Sequence, residues 1–297
     1  MASDTLQRLV FEEIDARCIS VRLDTVLDEI LGDSHYPPVV AELLAQALAV
    51  VALLSSGIKF SGRISLQLRG DGPLSLLMAD CTDDGGLRGI ARLRDEAELP
   101  EDSAELFRQL AASGTLTITL EPEHDGQRWQ GIVPLEGDGL SGAIEAYFER
   151  SEQLATHLRL ACDEQQVCAL MLQRLPDHGG SATVSDPDGW NRLEHLLRTL
   201  GPSELLDTAG GELFDRLFHA EPRRLFPARA LHFSCPCSRE RVQDMLKSLG
   251  SAELADMAAE QETVEVRCQF CNQAYRFDQL DLRALGESPV EGSQSVH

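Results

Sequence analysis

The sequence predicts an α+β fold: an N-terminal domain of helices and mixed β-sheet, a helical linker region, and a small C-terminal domain built on four cysteines. Three observations predict it. The first 180 or so residues mix strand-like and helical segments, a polar stretch then precedes helically spaced apolar residues, and two close cysteine pairs follow. A length of 297 residues with 43% hydrophobic and 25% charged residues is typical of a soluble globular protein with two domains.

The predicted N-terminal domain spans residues 1–178 and is rich in strand-like segments. The turn signal Gly70-Asp71-Gly72-Pro73 separates two of the apolar runs. Alternating or β-rich patterns, which are typical of half-buried strands, occur at Arg17–Leu23, Arg63–Leu68, Thr115–Glu121 and Arg128–Pro134. Two or three helices complete the domain.

The most apolar of these helices runs from Val39 to Leu54 and is opened by the prolines that follow Tyr36. Glu42 and Gln46 interrupt it, and it falls short of the roughly 20 apolar residues that span a bilayer. We therefore predict a buried helix and no membrane span. A shorter helix is predicted at Gly139–Arg150.

The segment from His178 to Pro187 is rich in Gly, Ser, Asp and Pro and predicts a domain boundary. Residues 179–230 form the predicted linker region. Its apolar side chains, which recur at helical spacing, are Trp190, Leu193, Leu196, Leu197, Leu200, Leu205, Leu206, Leu213, Phe214, Leu217 and Phe218. Short helices cannot bury such a stripe alone, so it must lie against the first domain or a partner. Ordinary packing between domains is the simpler explanation.

Residues 231–285 form the predicted small domain, and residues 286–297 have the composition of a disordered tail. The small domain contains few large apolar residues: Phe233, Val242, Met245, Leu246, Leu249, Leu254, Val264, Val266, Tyr275 and Phe277. Domains of this size often need a metal ion or disulfides for stability.

Two close cysteine pairs supply the strongest chemical signal. Cys235-Pro-Cys237 is followed after thirty residues by Cys268-Gln-Phe-Cys271. This spacing delivers four thiolates to one tetrahedral Zn²⁺ ion, which an all-sulfur ligand set favours over magnesium or calcium. The sequence thus predicts one zinc ion per chain. An iron–sulfur cluster, four unrelated buried thiols, or His232 as a ligand are weaker alternatives.

The members of each cysteine pair are two or three residues apart, so disulfides Cys235–Cys237 and Cys268–Cys271 could form with local movement only. Each disulfide would consume two ligands, so oxidation would expel the zinc and its stabilising contribution. A static zinc ribbon would resist this change, and spacing alone leaves both alternatives open. The remaining cysteines lie in apolar contexts and are predicted to be small core residues: Cys18, Cys81, Cys162 and Cys168.

Charge and motifs exclude several classes of function. The net charge of −23 and the presence of only two lysines, Lys59 and Lys247, argue against a nucleic-acid partner. The N-terminus lacks the basic start and apolar stretch of a secretory signal, so we expect a cytoplasmic protein. Phosphate-binding loops, nucleophile elbows and metalloprotease helices are absent from the sequence, so we predict that the protein is not an enzyme.

With these motifs assembled, the sequence resembles the redox-regulated heat-shock chaperones called the thirty-three-kilodalton chaperonins, over roughly residues 1 to 285. Ala155 and Cys168-Ala169 depart from the pattern, at a distance from the predicted zinc ligands. The matching motifs are Cys235-Pro-Cys237-Ser-Arg-Glu-Arg241, Val266-Arg-Cys268-Gln-Phe-Cys271-Asn-Gln-Ala-Tyr275-Arg-Phe277, Lys59-Phe-Ser-Gly62, Leu66-Gln67 with Gly70-Asp-Gly-Pro-Leu74, and Tyr147-Phe-Glu-Arg-Ser-Glu-Gln153.

The resemblance implies an ATP-independent holdase that is inactive when reduced and zinc-bound. On oxidation, formation of both disulfides, zinc release, unfolding of the zinc domain and linker, and homodimerisation would allow it to bind unfolding client proteins. Two rival functions remain. A static binding module, such as a transcription or translation factor, is disfavoured because residues 232–285 contain six Lys or Arg and nine Asp or Glu. A thiol–disulfide oxidoreductase would place Cys268 and Cys271 at a helix start, whereas β-like residues flank them.

Overall fold

The structure is a computed structural model that describes residues 4–32, 36–56, 61–123, 126–176, 186 and 188–287. It divides into two compact units, Met1–Ser234 and Cys235–His297. Helices and strands are mixed along the chain, and the predicted α+β class is confirmed.

The first unit contains twelve strands and seven α-helices among the described residues. The strands are β1 (Thr5–Phe11), β2 (Ala16–Leu23), β3 (Gly62–Arg69), β4 (Leu74–Thr82), β5 (Gly86–Leu93), β6 (Thr115–Pro122), β7 (Trp129–Pro134), β8 (Thr156–Cys162), β9 (Val167–Arg174), β10 (Arg223–Leu225), β11 (Arg229–Ala230) and β12 (His232–Phe233). The helices are α1 (Thr25–Leu31), α2 (Pro38–Ser55), α3 (Ser103–Ala111), α4 (Leu140–Tyr147), α5 (Gly189–Arg198), α6 (Pro202–Asp207) and α7 (Gly210–Phe218).

These strands form two six-stranded sheets. The first has the order β10-β1-β2-β9-β8, with β11 also paired to β1, and the second has the order β12-β5-β4-β3-β6-β7. All pairs are antiparallel except β12 with β5. The four strands predicted from sequence are confirmed as parts of β2, β3, β6 and β7.

Helix α2 lies at the centre of the main hydrophobic core. It contacts strands of both sheets, and thirteen of its eighteen residues are buried. By length and composition it could cross a membrane. Its apolar surface is instead covered by side chains of the two sheets, including Ile19, Leu66 and Met171. The prediction of a buried helix is therefore confirmed.

A second core fills the opposite face of the first sheet, where α5, α6 and α7 pack. Phe11 and Phe218 meet there edge to face, with ring centroids 5.2 Å apart. The linker side chains in this core are Leu193, Leu197, Leu200, Leu205, Leu213, Phe214, Leu217 and Phe218. The apolar stripe of the predicted linker therefore lies against the first domain. This was one of the two arrangements expected from sequence, the other being contact with a partner.

Several predictions differ from the structure in detail. In the described part of the chain before residue 177 there are four α-helices, α1 to α4, where two or three were predicted. The helix predicted at Gly139–Arg150 is α4 continued by a π-helical turn, Phe148–Glu152. The motif residues Lys59 and Phe60 and almost all of the predicted boundary at 178–187 lie outside the described residues.

The predicted start of the small domain at residue 231 does not match the packing. Leu231 is buried in the main core, and β12 pairs with β5 of the second sheet. Phe233, one of the large apolar residues assigned to the small domain from sequence, packs against the main core. The compact second unit begins at Cys235 because the segment before it is held as a strand of the first unit.

The second unit consists of a hairpin and three helices: α8 (Arg239–Leu249), α9 (Ser251–Glu260), β13 (Thr263–Arg267), β14 (Ala274–Asp278) and α10 (Gln279–Glu287). Its core contains Leu246, Leu254, Ala258, Val264, Phe277, Leu282 and Leu285. Met245 and Leu249, two of the large apolar residues noted in the sequence, lie outside this core and are 44% and 49% exposed. Helix α10 extends through Glu287, so it includes the first two residues of the predicted tail.

Candidate metal centre

Two segments of the second unit carry the four predicted cysteine ligands. Cys235 and Cys237 precede α8, whereas Cys268 and Cys271 lie in the turn that joins β13 to β14. All four are half-buried. The first pair thus lies in an extended segment that leads into α8, and the second pair lies in a hairpin turn.

Local sequence explains why each segment adopts its conformation. Ser238 caps α8 by accepting a hydrogen bond from the Arg241 N–H, so the chain is extended up to the helix start. In the hairpin turn, the Asn272 N–H donates to the Cys268 carbonyl at 2.9 Å, and the Cys268 N–H donates to the Gln273 carbonyl at 3.0 Å. Asn272 has a φ of 57°, a left-handed conformation that asparagine tolerates better than most residues.

The four sulfur atoms form one cluster. All four Sγ atoms lie within 4.8 Å of one another. The Sγ atoms of Cys235 and Cys268 are 3.7 Å apart, and those of Cys237 and Cys271 are 3.3 Å apart. A tetrahedral ion with metal–sulfur bonds of about 2.3 Å requires sulfur–sulfur distances of about 3.8 Å. The donor set and its spacing therefore fit a tetrahedral metal ion.

The thiols influence each other's ionisation. Burial is the largest cause that raises the pKa of Cys271, and hydrogen bonds to the neighbouring thiols add to it against the opposing Gln273 N–H. Burial likewise raises the pKa of Cys235. Burial also acts to raise the pKa of Cys268, but the N–H groups of Cys271 and Phe270 outweigh it, and this pKa lies below its usual value. Four thiolates this close repel one another, so full ionisation requires a bound cation.

Tyr275 contacts the cluster without belonging to it, and Arg239 joins the start of α8 to β14 and α10. The Tyr275 hydroxyl donates to the Cys237 Sγ at 3.2 Å, and this contact raises the pKa of the phenol to about 12. Arg239 lies 4.3 Å above the Phe277 ring and donates to the Asp281 carboxylate at 2.8 Å. In the sequence Tyr275 is one of the large apolar residues of the small domain and a member of the matching motif, and nothing in the spacing indicates its contact with sulfur.

The remaining sequence candidates lie elsewhere. His232 is 51% exposed at its side chain and faces Asp84 of the first unit, 3.9 Å away. Cys18, Cys81 and Cys168 are buried as predicted, while Cys162 is only half-buried. Cys268 and Cys271 lie between two β-strands, as expected from sequence, and not at the helix start that a thioredoxin-like site requires.

Comparison with known proteins agrees along almost the entire chain. The family model described as Hsp33 protein matches residues 4–278. The 33 kDa chaperonin of Methylobacillus flagellatus is 39% identical over 284 residues, covering 95% of this chain and 94% of that protein. The 33 kDa chaperonin of Ectopseudomonas mendocina is 41% identical over 298 residues, covering 99% and 100%.

The fold is also found in a solved structure. The crystal structure of the 33 kDa chaperonin from Thermotoga maritima superimposes with a TM-score of 0.82 and 20% identity, covering 95% of this chain and 97% of that one. This likeness concerns the fold alone. Together with the family model and the curated relatives, it completes the identification: the chain belongs to the Hsp33 protein family.

Proposed function

We propose that the protein is a redox-regulated, ATP-independent holdase chaperone. The reduced, metal-bound form is inactive, and the oxidised form binds unfolding proteins and prevents their aggregation. The cluster of four cysteine sulfurs within 4.8 Å is the observation that carries this proposal, because the same four atoms can hold a metal ion or form two disulfides. Membership of the Hsp33 family and the names of the curated relatives support it.

Zn²⁺ is the proposed ion, one per chain in the reduced state, with Cys235, Cys237, Cys268 and Cys271 as its ligands. When bound, it would neutralise the thiolates and join the α8 segment to the hairpin turn. An all-sulfur, tetrahedral site is typical of structural zinc. The seven buried residues of the second unit form a small core, so the cysteines' hold on the ion would contribute much of the stability of this unit.

We propose that oxidation forms the disulfides Cys235–Cys237 and Cys268–Cys271. With hydrogen peroxide as the oxidant, two cysteine thiolates lose two electrons to form each disulfide, and one peroxide takes up two protons and becomes two water molecules. The four ligands are thereby consumed and the ion is released. Disulfides within each cysteine pair would leave the α8 segment and the hairpin turn unconnected. Disulfides between the pairs would preserve the connection that the ion provides.

Loss of the second unit's structure would then act on the linker. Ser234, which directly precedes Cys235, is held by an N–H bond to the Leu87 carbonyl at 2.9 Å. The chain between α7 and Cys235 is held by strands of only two or three residues, β10 to β12. Release of α5 to α7 would expose the second core, including Leu9 and Phe11, as apolar surface for clients.

The proposed partners are unfolding client proteins and, on activation, a second copy of the chain. Nucleic acid is not proposed as a partner because the net charge is −23. A membrane is not proposed because α2 is buried among the two sheets. A reducing compartment is needed to keep the four thiols available, so we propose a cytoplasmic location. We also propose no enzymatic activity, because phosphate-binding loops, nucleophile elbows and metalloprotease helices are absent from the sequence.

One pair of assays tests the proposal. Peroxide with mild heat, or hypochlorite, should release about one zinc ion per chain and make the protein suppress light scattering by a denaturing client without ATP. The Cys162→Ser variant is a matched control that should behave like the wild type, because this thiol lies outside the cluster. Equal suppression by the reduced, zinc-loaded protein would refute the redox switch.

Mass spectrometry of the oxidised protein tests the disulfides separately. The expected peptides contain Cys235 bonded to Cys237 and Cys268 bonded to Cys271. Detection of Cys235 bonded to Cys268 or Cys271 would contradict the proposed pairing. An insulin-reduction assay would identify the alternative function, a thiol–disulfide oxidoreductase, which we expect to be inactive here.

A further inference from the structure

Strand β7 is an exposed edge of the second sheet. Within the described part of the chain it pairs with β6 alone. Trp129 is 42% exposed and Ile132 is 62% exposed, so both faces of this edge carry apolar surface. Natural edge strands are usually short, charged or covered, because an open edge can pair with another chain.

The hydrogen-bond pattern shows which backbone groups of β7 are available. The Leu135 N–H donates to the Gly114 carbonyl at 2.9 Å, immediately beyond the paired residues Thr115 and Pro134. In an antiparallel ladder, residues bonded to the neighbouring strand alternate with residues whose groups point away. Residues 129, 131 and 133 therefore bond to β6, and the N–H and C=O groups of Gln130 and Ile132 point outward.

The other outer strands of the two six-stranded sheets are less open. Strand β8 has seven residues, none of them exposed. Strands β10, β11 and β12 contain only two or three residues each. In β7 four of six residues are exposed, and it contains no charged side chain. Pro134 is the next residue whose backbone groups point away from β6, but it has no N–H group to donate. Hydrogen bonding to an added strand would therefore end after Ile132.

An apolar cleft of about 220 Å³ adjoins this edge. Its apolar lining includes Ile64, Ile118, Leu120, Trp129, Phe148 and Leu154. Trp129 belongs both to the cleft and to β7, so a strand added beside β7 would place side chains on that face within reach of the cleft. An engineered apolar cavity of about 150 Å³ binds benzene, so this cleft can accept one large apolar side chain.

The charge of the chain indicates what kind of segment docks there. At a net charge of −23, the chain favours a client segment with basic flanks over one with acidic flanks. The charged residues that line the cleft are Glu152, which is exposed and accepts a hydrogen bond from Tyr147 at 3.3 Å, and Arg17, which donates to the Gln173 side chain at 3.1 Å. With one charge of each sign at the cleft, the charge of the whole chain decides which flanks are attracted. An apolar segment flanked by Lys or Arg would therefore be attracted.

We propose that the outer edge of β7 and the adjoining cleft form a docking surface for an extended, apolar segment with basic flanks in an unfolding protein. The segment adds a strand at Gln130 and Ile132 and inserts one apolar side chain into the cleft, a mode known as β-augmentation. This inference rests on the proposed holdase function and assigns a client contact to it.

The surface is present in the described structure, so redox state does not create it. Two residues of backbone pairing and one side-chain site bind weakly alone. Apolar surface released from beneath the linker would supply a second contact to the same client, and two linked weak contacts raise the overall affinity greatly. Weak binding by the reduced form and strong holding by the oxidised form follow from the same surface.

The test compares Ile132→Pro with Ile132→Ala in the full chain. Both remove the side chain, but only the proline variant removes the outward N–H donor, and neither change disturbs a bond to β6. Oxidised Ile132→Pro should need about threefold to tenfold more protein than Ile132→Ala for half suppression of client aggregation, as expected for loss of one hydrogen bond. If the two variants needed the same protein concentration for half suppression, the proposal would be overturned.

Hydrogen exchange of the wild type gives a second readout that does not depend on a variant folding. A short peptide of alternating leucine and serine with arginine at both ends is added to the reduced protein. The amides of Gln130 and Ile132 should exchange more slowly, and those of Gly131 and Val133 should change little. The proposal would be overturned if the peptide left the exchange of Gln130 and Ile132 unchanged. It would also be overturned if these amides were already slow without peptide and slowed further at higher protein concentration, since a second copy of the chain would then occupy the edge. Failure of the holdase function would appear separately, as no suppression by the oxidised wild type.

Discussion

The phenol of Tyr275 donates a hydrogen bond to the Sγ atom of Cys237 over 3.2 Å. Tyr275 lies on β14, and Cys237 lies immediately before Ser238, the cap of α8, so one contact joins the two segments that carry the cysteines. A donor to a metal-bound sulfur orients the ligand and tunes its strength. Tyr275 is therefore part of the support of the candidate metal centre.

Tyr275→Phe should weaken metal binding by about tenfold, because it removes this hydrogen bond while retaining the ring in the core. Competition with a colorimetric chelator measures the affinity. Tyr147→Phe is the matched control, since Tyr147 also donates a side-chain hydrogen bond but lies in the first unit. An unchanged affinity for Tyr275→Phe would show that the contact does not support the ligand.

Removal of the metal from the reduced protein should unfold the second unit and spare the first. The core of the second unit has seven buried residues, whereas the cores of the first unit contain α2 and faces of two six-stranded sheets. Structural zinc contributes on the order of 10 kcal/mol to such small units. Hydrogen exchange should become fast at Val264 and Phe277 and remain slow at Leu48. Slow exchange at Val264 after chelation would contradict this dependence.

Arg22→Ala should loosen the linker helices. The Arg22 guanidinium donates to the carbonyls of Leu206 and Thr208, which end α6, and to the side chain of Gln166. Loss of charged hydrogen bonds to two carbonyls should lower the local opening free energy of α6 and α7 by about 2–3 kcal/mol. Amide exchange in α7 measures this change.

The Arg22→Ala variant should also become a chaperone at a lower dose of oxidant than the wild type, if linker release limits activation. Arg94→Ala is the control, because Arg94 pairs with Asp71 in an exposed turn of the first unit. Faster exchange in α7 with an unchanged oxidant requirement would separate linker release from activation.

The buried Cys81 thiol should make stability fall in alkaline solution. Burial raises the pKa of Cys81 from 9.0 to about 11 in the folded protein. The unfolded chain loses this proton above pH 9, whereas the folded chain keeps it until about pH 11. The contribution of the buried Cys81 thiol to the free energy of unfolding is therefore complete below pH 9 and is lost as the pH rises towards 11. The advantage of the wild type over Cys81→Ala should shrink by about 2 kcal/mol between about pH 8.5 and 10.5.

Urea unfolding at the two pH values measures the Cys81 effect. Leu77→Ala serves as the control, because Leu77 is a fully buried neighbour on β4 without a titratable group. The stability difference between this variant and the wild type should not depend on pH. A constant difference for Cys81→Ala as well would show that the thiol does not titrate as inferred.

Strands whose sequence alternates apolar and polar residues were predictable, and strands that form a continuous apolar run were not. Thr115–Glu121 alternates apolar and polar residues, and β6 forms there. Strand β9 is buried at seven of its eight residues because α2 packs on one face and the linker helices cover the other. Its apolar run has no period of two, so no local pattern distinguished it from a buried helix.

The boundary between the two units is set by strand pairing between residues that are far apart in sequence. His232 and Phe233 pair with Gly86 and Leu87, about 150 residues earlier in the chain. Composition near Leu231 does not reveal a strand of two residues. The exposure of Met245 and Leu249 was equally hidden, because both fall near the apolar face of α8 and only the packing of α9 and α10 decides which side chains are covered.

The sequence by itself determined the α+β class, the apolar stripe of the linker and the four cysteines at metal-ligand spacing, because each of these is a local pattern of composition or period. Tertiary structure alone decided where the stripe packs, which tyrosine contacts a sulfur, and that β7 is the open edge. These three features arise from contacts between residues distant in the chain, and such contacts depend on how the elements assemble and not on any short segment.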